Sequence, residues 1–557
     1  MNSNLDINNT RILVVGLNSQ YVHSSYASYI LCAVLRQQGY QPQLLEWTVN
    51  NPSGELLAGI YRQQPDIVMF SVYIWNLEYV LKIAGDLKRI LPELLIVCGG
   101  PEAAANSERL CRLENGIDFV CLEEAETALP RFLCAYQGGE LSHVGGFMCA
   151  GDREAAWQTP SAAIMDELNF PYTDQQLQQL AGHLVYYESS RGCPYQCSFC
   201  MSACSRPRFR SPDLVFEDLQ RFFHVLPGGT IKFIDRTFNA VSSRSVQILK
   251  FLLQNYRKEF RFHFEIEPSI LDEAQLFAFS QAPTGYFQIE AGLQSLNPLT
   301  LTAVNRGDKT VRALENLQEL LLADNVVVHV DLIAGLPEET LESFINGFNQ
   351  VHKLGAHHLQ VGFLKVLPGS QLALEKENFG IIYSDTPPYK VLSTPWLSFA
   401  ELDLIAQVEK MVELFYNSNR LSQTLAAAGA SYPGGSFELY LELARRFEKN
   451  IKGGYSIGYK MKLLHDLLQQ KLPEQTTLWQ DFLRLDYLST SFGQPLPEWL
   501  ARKGDLWNEL DFFHTFTFGA GPIAAVAKEP SRLRLPGKGL AHASKKAGGN
   551  FILERLS

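Results

Sequence analysis

The sequence has no apolar run long enough to cross a bilayer. Its most apolar stretch, Val326–Leu336, is short and contains His329 and Asp331, whereas a transmembrane helix needs about 20 apolar residues. Residues Met1–Thr10 are polar and lack the apolar core of a signal peptide. We therefore expect a cytoplasmic protein that does not bind a membrane.

The sequence also lacks an excess of positive charge and any disulfide framework. It has 48 basic and 59 acidic residues and a formal net charge of -11, which disfavours bulk binding to nucleic acid. Most of its ten cysteines are scattered singly, which is typical of a protein in a reducing compartment. At 557 residues, 46% of them hydrophobic, the chain is long enough for three or four domains.

One group of cysteines is clustered. Cys193, Cys197 and Cys200 are spaced C-x3-C-x2-C on a single short loop, and soft thiolates in this arrangement suit an iron–sulfur cluster. A cluster held entirely by protein takes four cysteines, so three predict a cluster with one iron open to another ligand. Zinc is the less favoured alternative, because structural zinc prefers four closed ligands. Cys204 could be a fourth ligand, although the three-cysteine spacing needs none.

The first 140 residues alternate strand-like and helical segments. Ile12–Gly16, Asp66–Ser71 and Leu94–Cys98 are apolar runs typical of strands buried on both faces. Amphipathic segments separate them, so we predict a doubly wound, Rossmann-like (flavodoxin-like) parallel sheet. Ligands of such sheets bind at the loops that follow the strands. Those loops are Leu17–His23, Ser71–Asn76 and Gly99–Glu102.

The central region repeats a strand–helix unit about six times between residues 183 and 370. This pattern predicts an open, partial (β/α)6 barrel whose active site lies at the carboxyl ends of the strands. The cysteine loop follows the first predicted strand, Leu184–Glu188. Polar or glycine-containing segments also follow each of the others, at Asp235–Thr237, Glu265–Glu267, Gly292–Ser295, Gly335–Glu338 and Leu367–Ser370.

The N-terminal region resembles the cobalamin-binding domain found ahead of many radical SAM enzymes, on the strength of Ile96–Glu102 followed by Asp118–Val120. That family continues into a Gly-Glu-Gly-Glu loop, whereas this chain has Glu123–Glu126 with both glycines replaced. The family's Asp-x-His-x-x-Gly motif is absent, so no histidine axial ligand is expected, and a vestigial Rossmann-like domain is the alternative. The resemblance implies that the cobalamin contacts come from Asn18, His23, Ser71, Gly99, Gly100, Pro101, Glu102 and Glu124.

The barrel resembles the radical SAM family at its cysteine motif, including the aromatic Phe199 beside the last cysteine. The resemblance implies that Cys193, Cys197 and Cys200 hold a [4Fe-4S] cluster whose open iron chelates S-adenosylmethionine (SAM). It places Phe199 against the adenine and Asp235 at the methionine ammonium, although Asp235–Thr237 departs from the family's Gly-Gly-Glu strand end. The implied SAM-binding residues are Phe199, Asp235, Glu265, Gln294, Ser295 and Arg306.

The remaining chain is predicted to be helical up to about residue 525. Tyr73–Asn76 and Asp235–Asn239 resemble the branch of cobalamin-binding radical SAM proteins that ends in a domain of unknown function, DUF4080. We expect domain boundaries at 1–140, a linker at 141–182, a barrel at 183–370, a helical cap over the barrel mouth at 371–525, and a basic, glycine-rich flexible tail at 526–557.

The resemblance implies a radical SAM enzyme that cleaves SAM to a 5′-deoxyadenosyl radical. With cobalamin, the expected reaction is methyl transfer to, or rearrangement of, an unidentified small-molecule substrate, with a flavodoxin- or ferredoxin-like electron donor. One alternative is a methylthiotransferase, which carries a second cluster whose first cysteine follows strand one; Leu17–His23 contains no cysteine. The other is a non-catalytic sensor of cobalamin or of the cluster.

Overall fold

The structure is a computed structural model. It describes residues 10–141, 144–151, 162–447, 455–490 and 497–500, together with the backbone of four strands between 514 and 555. The side chain of Cys204 and most of the predicted tail lie outside the described residues. No helix in the described ranges is long and apolar enough to cross a membrane.

The N-terminal domain is the predicted doubly wound sheet. Its order is β2-β1-β3-β4-β5-β6, with every pair parallel except β5 and β6. Every residue of β1 is buried because helices cover both faces. The strands are β1 Ile12–Asn18, β2 Gln43–Thr48, β3 Ile67–Ser71, β4 Leu95–Gly99, β5 Phe119–Cys121 and β6 Phe147–Cys149. The helices are α1 Tyr26–Gln37, α2 Ser53–Gln63, α3 Leu77–Ile90, α4 Pro101–Ala105, α5 Ser107–Leu110 and α6 Ala125–Gly138.

A short linker joins this domain to the barrel. It contains α7, Asp174–Gln179, which begins at a capping box formed by Thr173 and Gln176. Tyr172 is buried between the two domains, with its ring 4.8 Å from Tyr29 of α1 and 6.1 Å from Phe222 of the barrel. The linker therefore contributes side chains to a core that both domains share.

The central domain is the predicted open barrel. Six parallel strands pair in the order β14-β13-β12-β11-β10-β7. The barrel strands are β7 Leu184–Tyr187, β10 Gly229–Phe233, β11 Phe260–Ile266, β12 Phe287–Gln294, β13 Val327–Ala334 and β14 His358–Phe363. Two short strands form a separate pair, β8 Ser190–Arg191 and β9 Arg208–Phe209. The helices are α8 Pro212–Val225, α9 Ser242–Gln254, α10 Glu273–Ser280, α11 Pro298–Ala303, α12 Thr310–Ala323, α13 Leu341–Leu354 and α14 Gln371–Glu375.

The C-terminal helices pack beside the barrel. Tyr416 donates to the carbonyl oxygen of Ala356 at 2.5 Å, and Asn417 accepts from the amide of Leu359 on β14 at 3.0 Å. Two of these helices, Ser422–Ser431 and Gly435–Arg446, pack against α13. The expected cap over the barrel mouth stays a prediction. The elements are β15 Ile382–Tyr383, β16 Val391–Ser393, α15 Phe399–Met411, α16 Ser422–Ser431, α17 Gly435–Arg446, α18 Ile457–Lys471 and α19 Thr476–Thr490.

Four further strands follow: one, His514–Thr517, lies in the region predicted to be helical, and three lie where the sequence predicts a flexible tail. They form an antiparallel sheet of order β17-β20-β19-β18. The apolar run Phe551–Leu553 gives the last strand its β-forming character, which the basic and glycine-rich composition concealed. The strands are β17 His514–Thr517, β18 Arg532–Arg534, β19 Leu540–Lys545 and β20 Asn550–Arg555.

Candidate active site at the cysteine loop and the interdomain cavity

The three cysteines lie on the loop that follows β8. Cys197 is buried, Cys193 and Cys200 are half-buried, and all three are free thiols. Arg306 donates to the Cys197 sulfur at 3.6 Å, and the Cys193 sulfur lies 3.4 Å from the Thr237 hydroxyl. Burial raises the pKa of Cys197, and the charge of Arg306 offsets part of that rise. Hydrogen-bond donors directed at thiolate sulfurs are what a cysteine-held cluster requires.

No group of three or more His, Cys, Asp or Glu side chains in the described ranges is arranged to hold a single metal ion. The cysteines of an iron–sulfur cluster each bind a different iron, so their sulfurs lie farther apart than ligands that share one ion. Three free thiols on one loop, with Arg306 donating to one sulfur and the Thr237 hydroxyl in contact with another, fit a [4Fe-4S] cluster.

Asp235 lies beneath the loop. Its carboxylate has no exposed surface and accepts from the amides of Ser189 and Ser190, at 2.8 and 3.0 Å, and from the Ser189 hydroxyl at 2.6 Å. Arg244 lies 3.9 Å from the same carboxylate. The observed bonds therefore position the backbone that enters the cysteine loop. Direct contact between Asp235 and SAM stays a prediction.

The other predicted SAM-binding residues gather at the carboxyl ends of β11 and β12. Arg306 donates to Glu267 and to the carbonyl oxygen of Gly292, both at 2.5 Å, so it joins both strand ends to the cysteine loop. Gln294 has a φ of 67° at a register shift in β12, and a non-glycine residue held in this region marks a functional constraint. Ser295 donates to Glu339, which ties it to the next loop.

Phe199 and Glu265 lie on opposite sides of this site. Phe199 is half-buried and packs against the barrel core. Glu265 points into the barrel lumen, where Lys232 lies 3.6 Å away and Arg236 3.8 Å away. The structure thus brings the cysteine loop, Phe199, Gln294 and Arg306 to one end of the barrel and places Glu265 nearer its centre.

The barrel lumen holds a polar network that the sequence reasoning missed. Lys232 donates to Glu290 at 2.8 Å, and His263 lies 3.1 Å from the same carboxylate. One oxygen of Asp331 is buried without a hydrogen-bond partner, and burial, reinforced by the charges of Glu290 and Glu265, raises the pKa of Asp331 to about 8. The sequence pattern that could have predicted this network is the polar residue at every second position of the barrel strands, because alternate side chains of a strand point to the same face. An unpaired acceptor in the lumen fits a bound molecule with hydroxyl or ammonium groups.

A cavity of about 740 Å³ separates the N-terminal domain from the cysteine loop. This volume lies within the range of small-molecule and cofactor sites. Six of the eight residues predicted to contact cobalamin line it, and the barrel contributes the opposite wall. The residues on the N-terminal side include Ser71, Gly99, Gly100, Pro101, Glu102 and Glu124, and those on the barrel side include Arg191, Gly192, Met201 and Arg236.

The wall at β3 and β4 suits a large planar ligand. Gly100 has a φ of 101°, and a Cβ there would lie 2.7 Å from the carbonyl oxygen of Val72, so only glycine allows this close turn. Tyr73 and Trp75 stack with ring centroids 4.5 Å apart and an interplanar angle of 4°. Trp75 is fixed by donating to the carbonyl oxygen of Leu17 at 3.0 Å. Flat aromatic and glycine surfaces facing one cavity fit the corrin ring of cobalamin.

Asn18 and His23 lie away from this cavity, unlike the other six. His23 lies 2.7 Å from the Tyr186 hydroxyl, and Asn18 donates to the His23 carbonyl oxygen at 2.9 Å. The same loop pairs with the free edge of β7, where the Leu184 amide donates to Val22 at 2.9 Å. The loop is drawn to that edge because an open barrel leaves strand β7 with unpaired backbone groups. His23 therefore contacts the barrel, and Asn18 holds the loop of His23 from within the N-terminal domain; contact of either residue with cobalamin stays a prediction.

Two cavity residues make contacts that the sequence did not predict. Glu102 accepts from the Tyr389 hydroxyl at 2.5 Å and from Asn106 at 3.0 Å. Burial raises the pKa of Glu102, which these hydrogen bonds partly offset. Glu124 is ion-paired with Arg191 at 3.0 Å and with Arg208. Pairs between side chains so distant in sequence have no local signature.

Comparison with known families agrees with this geometry. A model of the B12 binding domain matches residues 12–133, and a model of the radical SAM superfamily matches residues 187–350. A third, for a protein of unknown function (DUF4080), matches residues 377–517. The chain therefore has a B12-binding domain, a radical SAM domain and a DUF4080 domain, in that order. The resemblance inferred from the cysteine motif and from Ile96–Glu102 is thus confirmed, as is the order of the three domains.

Related proteins match only part of this chain. The cobalamin-dependent radical SAM methyltransferase TokK of Streptomyces tokunonensis is 24% identical over 58% of this chain and 50% of its own length. The 2-(S-pantetheinyl)-carbapenam-3-carboxylate methyltransferase of Streptantibioticus cattleyicolor is 23% identical over 57% and 49%, respectively. The chain therefore spans about half the length of these curated relatives.

A solved structure shares the fold. TsrM, a radical S-adenosylmethionine methyltransferase from Kitasatospora setae solved with cobalamin and a [4Fe-4S] cluster bound, superposes with a TM-score of 0.59 at 15% identity. The match covers 78% of this chain and 99% of TsrM. The two proteins therefore share an overall fold.

Proposed function

We propose that the protein is a cobalamin-dependent radical SAM enzyme that methylates or rearranges a small molecule. One observation carries the proposal. The cavity of about 740 Å³ is bounded on one side by Ser71 and Gly99–Glu102 of the B12-binding domain and on the other by Arg191, Gly192 and Met201 of the cysteine loop. A single space is thus shared by the residues expected to hold cobalamin and by those flanking the cluster.

Each cofactor has a set of residues that would hold it. Cys193, Cys197 and Cys200 would hold the [4Fe-4S] cluster, and Ser71 and Gly99–Glu102 would hold cobalamin. The residues proposed for SAM are Phe199, Asp235, Glu265, Gln294, Ser295 and Arg306. When bound, the reduced cluster and SAM supply a 5′-deoxyadenosyl radical and cobalamin supplies a transferable methyl group.

The protein's own contribution is positioning. Arg306 joins Cys197 to Glu267 and Gly292, so the cysteine loop and two strand ends are held in one geometry. Asp235 fixes the approach to the loop from below through Ser189 and Ser190. Holding reactants in line and away from water is how a protein directs a reactive intermediate to one substrate.

Partners follow from the same chemistry. Each reductive cleavage of SAM needs one electron, which we assign to a flavodoxin- or ferredoxin-like reductant in a reducing compartment such as the cytoplasm. The relatives named above are methyltransferases, which favours methyl transfer over rearrangement. The substrate is assigned only to the class of small molecules.

The proposal is tested by anaerobic reconstitution of the full chain with iron and sulfide, with and without cobalamin. After reduction in the presence of SAM, we expect 5′-deoxyadenosine and methionine, and we expect cobalamin to remain with the protein through gel filtration. Replacing Cys193, Cys197 and Cys200 by alanine should abolish SAM cleavage. Cys134→Ala, an exposed cysteine on α6, is the matched control and should leave cleavage unchanged.

The outcomes separate the two parts of the proposal. Absence of 5′-deoxyadenosine from the fully loaded protein would refute the enzymatic function. Cleavage of SAM without retention of cobalamin would refute cobalamin dependence alone and leave a radical SAM enzyme of another type.

A further inference from the structure

The loop that carries the three cysteines is closed at its base by a very short β ladder. Strand β8 pairs antiparallel with β9, so that Ser190 lies opposite Phe209 and Arg191 opposite Arg208. At the same point Gly192 has a φ of 90°, and a Cβ there would lie 2.5 Å from the carbonyl oxygen of Arg206. The start and the end of the cysteine loop are therefore in close contact.

This ladder is unstable by itself. Like charges directly opposite each other on paired strands repel, and one of the two pairs in this ladder is Arg191 opposite Arg208. A ladder of two residues per strand has few backbone hydrogen bonds to oppose that repulsion. The base of the loop therefore needs a negative charge placed between Arg191 and Arg208.

Glu124 of the B12-binding domain supplies that charge. One of its oxygens lies 3.0 Å from Arg191 and 3.1 Å from Arg208, and its other oxygen accepts a second bond from Arg208. The amide of Ala163 also donates to Glu124 at 2.8 Å. Within the described residues, Glu124 is the carboxylate that pairs with both arginines.

The neighbouring acidic residues strengthen the same contact. Arg191 also pairs with Glu126 at 2.6 Å and with Glu188 at 2.7 Å, whereas the carboxylate partner of Arg208 among the described ion pairs is Glu124. Burial favours the neutral form of Glu124, but hydrogen bonds from Arg208 and the charge of Arg191 outweigh it and lower the pKa of Glu124. The carboxylate is therefore ionised when it bridges the two arginines.

We propose that Glu124 is a positioning residue that holds the base of the cysteine loop closed against the cobalamin cavity, by pairing with Arg191 and Arg208. Glu124 and Glu126 then form an ion-paired contact between domains, in the loop where Glu123 and Ala125 replace the family's two glycines. The inference rests on the proposed function only in taking the group held by the cysteine loop to be an iron–sulfur cluster. The closure of the loop by Glu124 is a property of the protein itself.

The test is hydrogen exchange in the full-length protein before any cofactor is added. In Glu124→Gln, which keeps the shape and removes the charge, amides of residues 189–210 should exchange about tenfold faster than in the wild type. Amides of strand β11 should be unaffected. The matched control is Glu78→Gln, which removes an exposed ion pair with Arg109 (2.8 Å) in the same domain and should change neither region.

Arg208 provides a second set of variants. Arg208→Lys keeps the charge and should stay close to wild-type exchange, whereas Arg208→Gln removes the repulsion together with the ion pair and should loosen the loop less than Glu124→Gln does. Because the two residues act through one contact, Glu124→Gln combined with Arg208→Gln should be no more mobile at 189–210 than the more affected single variant. Unchanged exchange at 189–210 in Glu124→Gln, or independent additive effects, would overturn the proposal.

Reconstituted protein gives a separate spectroscopic test. Glu124→Gln should retain its iron content and its cobalamin absorption, while the change that SAM causes in the electron paramagnetic resonance (EPR) spectrum of the reduced cluster is weakened. Loss of cobalamin with wild-type hydrogen exchange would instead make Glu124 a cofactor contact and refute the positioning role. A wild-type protein that binds no cluster would refute the proposed function, while the exchange result would still decide the role of Glu124.

Discussion

At the scale of single residues, the site depends on side chains that join distant parts of the chain. Arg306 contacts Cys197, Glu267 and Gly292, and Asp235 receives donors from Ser189 and Ser190. Both residues were predicted to contact SAM, yet the bonds observed for them are to the protein. Residue type and position along a strand indicated the correct end of the barrel, but not the partners.

Arg306→Gln should shift the reduction potential of the cluster. Hydrogen bonds and positive charge near cluster sulfurs stabilise the reduced, more negative form, and Arg306 donates to the Cys197 sulfur at 3.6 Å. We expect the potential to fall by on the order of 50 mV, measured by an EPR-monitored redox titration of the reconstituted protein. Arg312→Gln, an exposed arginine on α12, is the control. Equal potentials in wild type and Arg306→Gln would contradict this role.

Asp331→Asn should stabilise the protein at alkaline pH. The pKa of Asp331 is raised to about 8, chiefly by burial, whereas an unfolded aspartate has a pKa of about 3.9. The folded protein therefore keeps a proton that the unfolded chain releases, and the stability contributed by this group falls as the pH rises from about 4 to about 8.

The substitution removes that dependence, so Asp331→Asn should gain on the order of 5 kcal/mol over the wild type at pH 8 and only about 1 kcal/mol at pH 4.5. Thermal unfolding across this range measures it, with the exposed Asp385→Asn as the control. A constant difference between the two proteins at all pH values would show that Asp331 does not titrate in this range.

At the scale of elements, the sequence predicted strands better than it predicted what covers them. Apolar runs rich in β-branched residues located the buried strands, because only strands buried on both faces tolerate such runs. Polar residues also alternate along β10 to β14 in the sequence. Functional residues were predicted only at the ends of these strands, so the polar network in the lumen was not predicted. The loop of His23 escaped prediction because pairing with the edge of β7 in another domain leaves no periodic pattern.

The helical region shows the same limit. The apolar stripes of α15 and α17 predicted helices with one buried face, but a stripe does not identify the surface it covers. The structure places α17 against α13, where His352 lies between the Ser436 hydroxyl at 2.8 Å and the Tyr440 hydroxyl at 3.0 Å. Burial lowers the pKa of His352 to about 4, so the imidazole is neutral and can use one nitrogen as an acceptor.

Tyr440→Phe should loosen this contact between α13 and α17. It removes the hydroxyl beside His352 and leaves a buried ring nitrogen without a partner, which costs about 1–2 kcal/mol. We expect earlier thermal unfolding and faster hydrogen exchange in α17, with unchanged cluster content. Tyr256→Phe, at a tyrosine that is 45% exposed, should be neutral. Equal stability of the two variants would refute the structural role of Tyr440.

At the scale of the whole molecule, two domains face each other across one cavity. The doubly wound sheet and the barrel each present the loops that follow their strands, and the two sets of loops meet at the cavity of about 740 Å³. The sequence could predict both sets of loops because each follows from the alternation of strands and helices. It could not predict that they face each other, since that arrangement depends on contacts such as those of Glu124, His23 and Tyr389.

The central claim is that cobalamin and the iron–sulfur cluster face each other across this one cavity. The most direct measurement is EPR spectroscopy of protein loaded with both cofactors, with the cluster reduced and the cobalamin in its paramagnetic cobalt(II) state. Two paramagnetic centres facing each other across a single cavity should couple, so we predict a spectrum broadened beyond the sum of the two singly loaded samples. A spectrum equal to that sum, or a protein that cannot retain both cofactors, would contradict the claim.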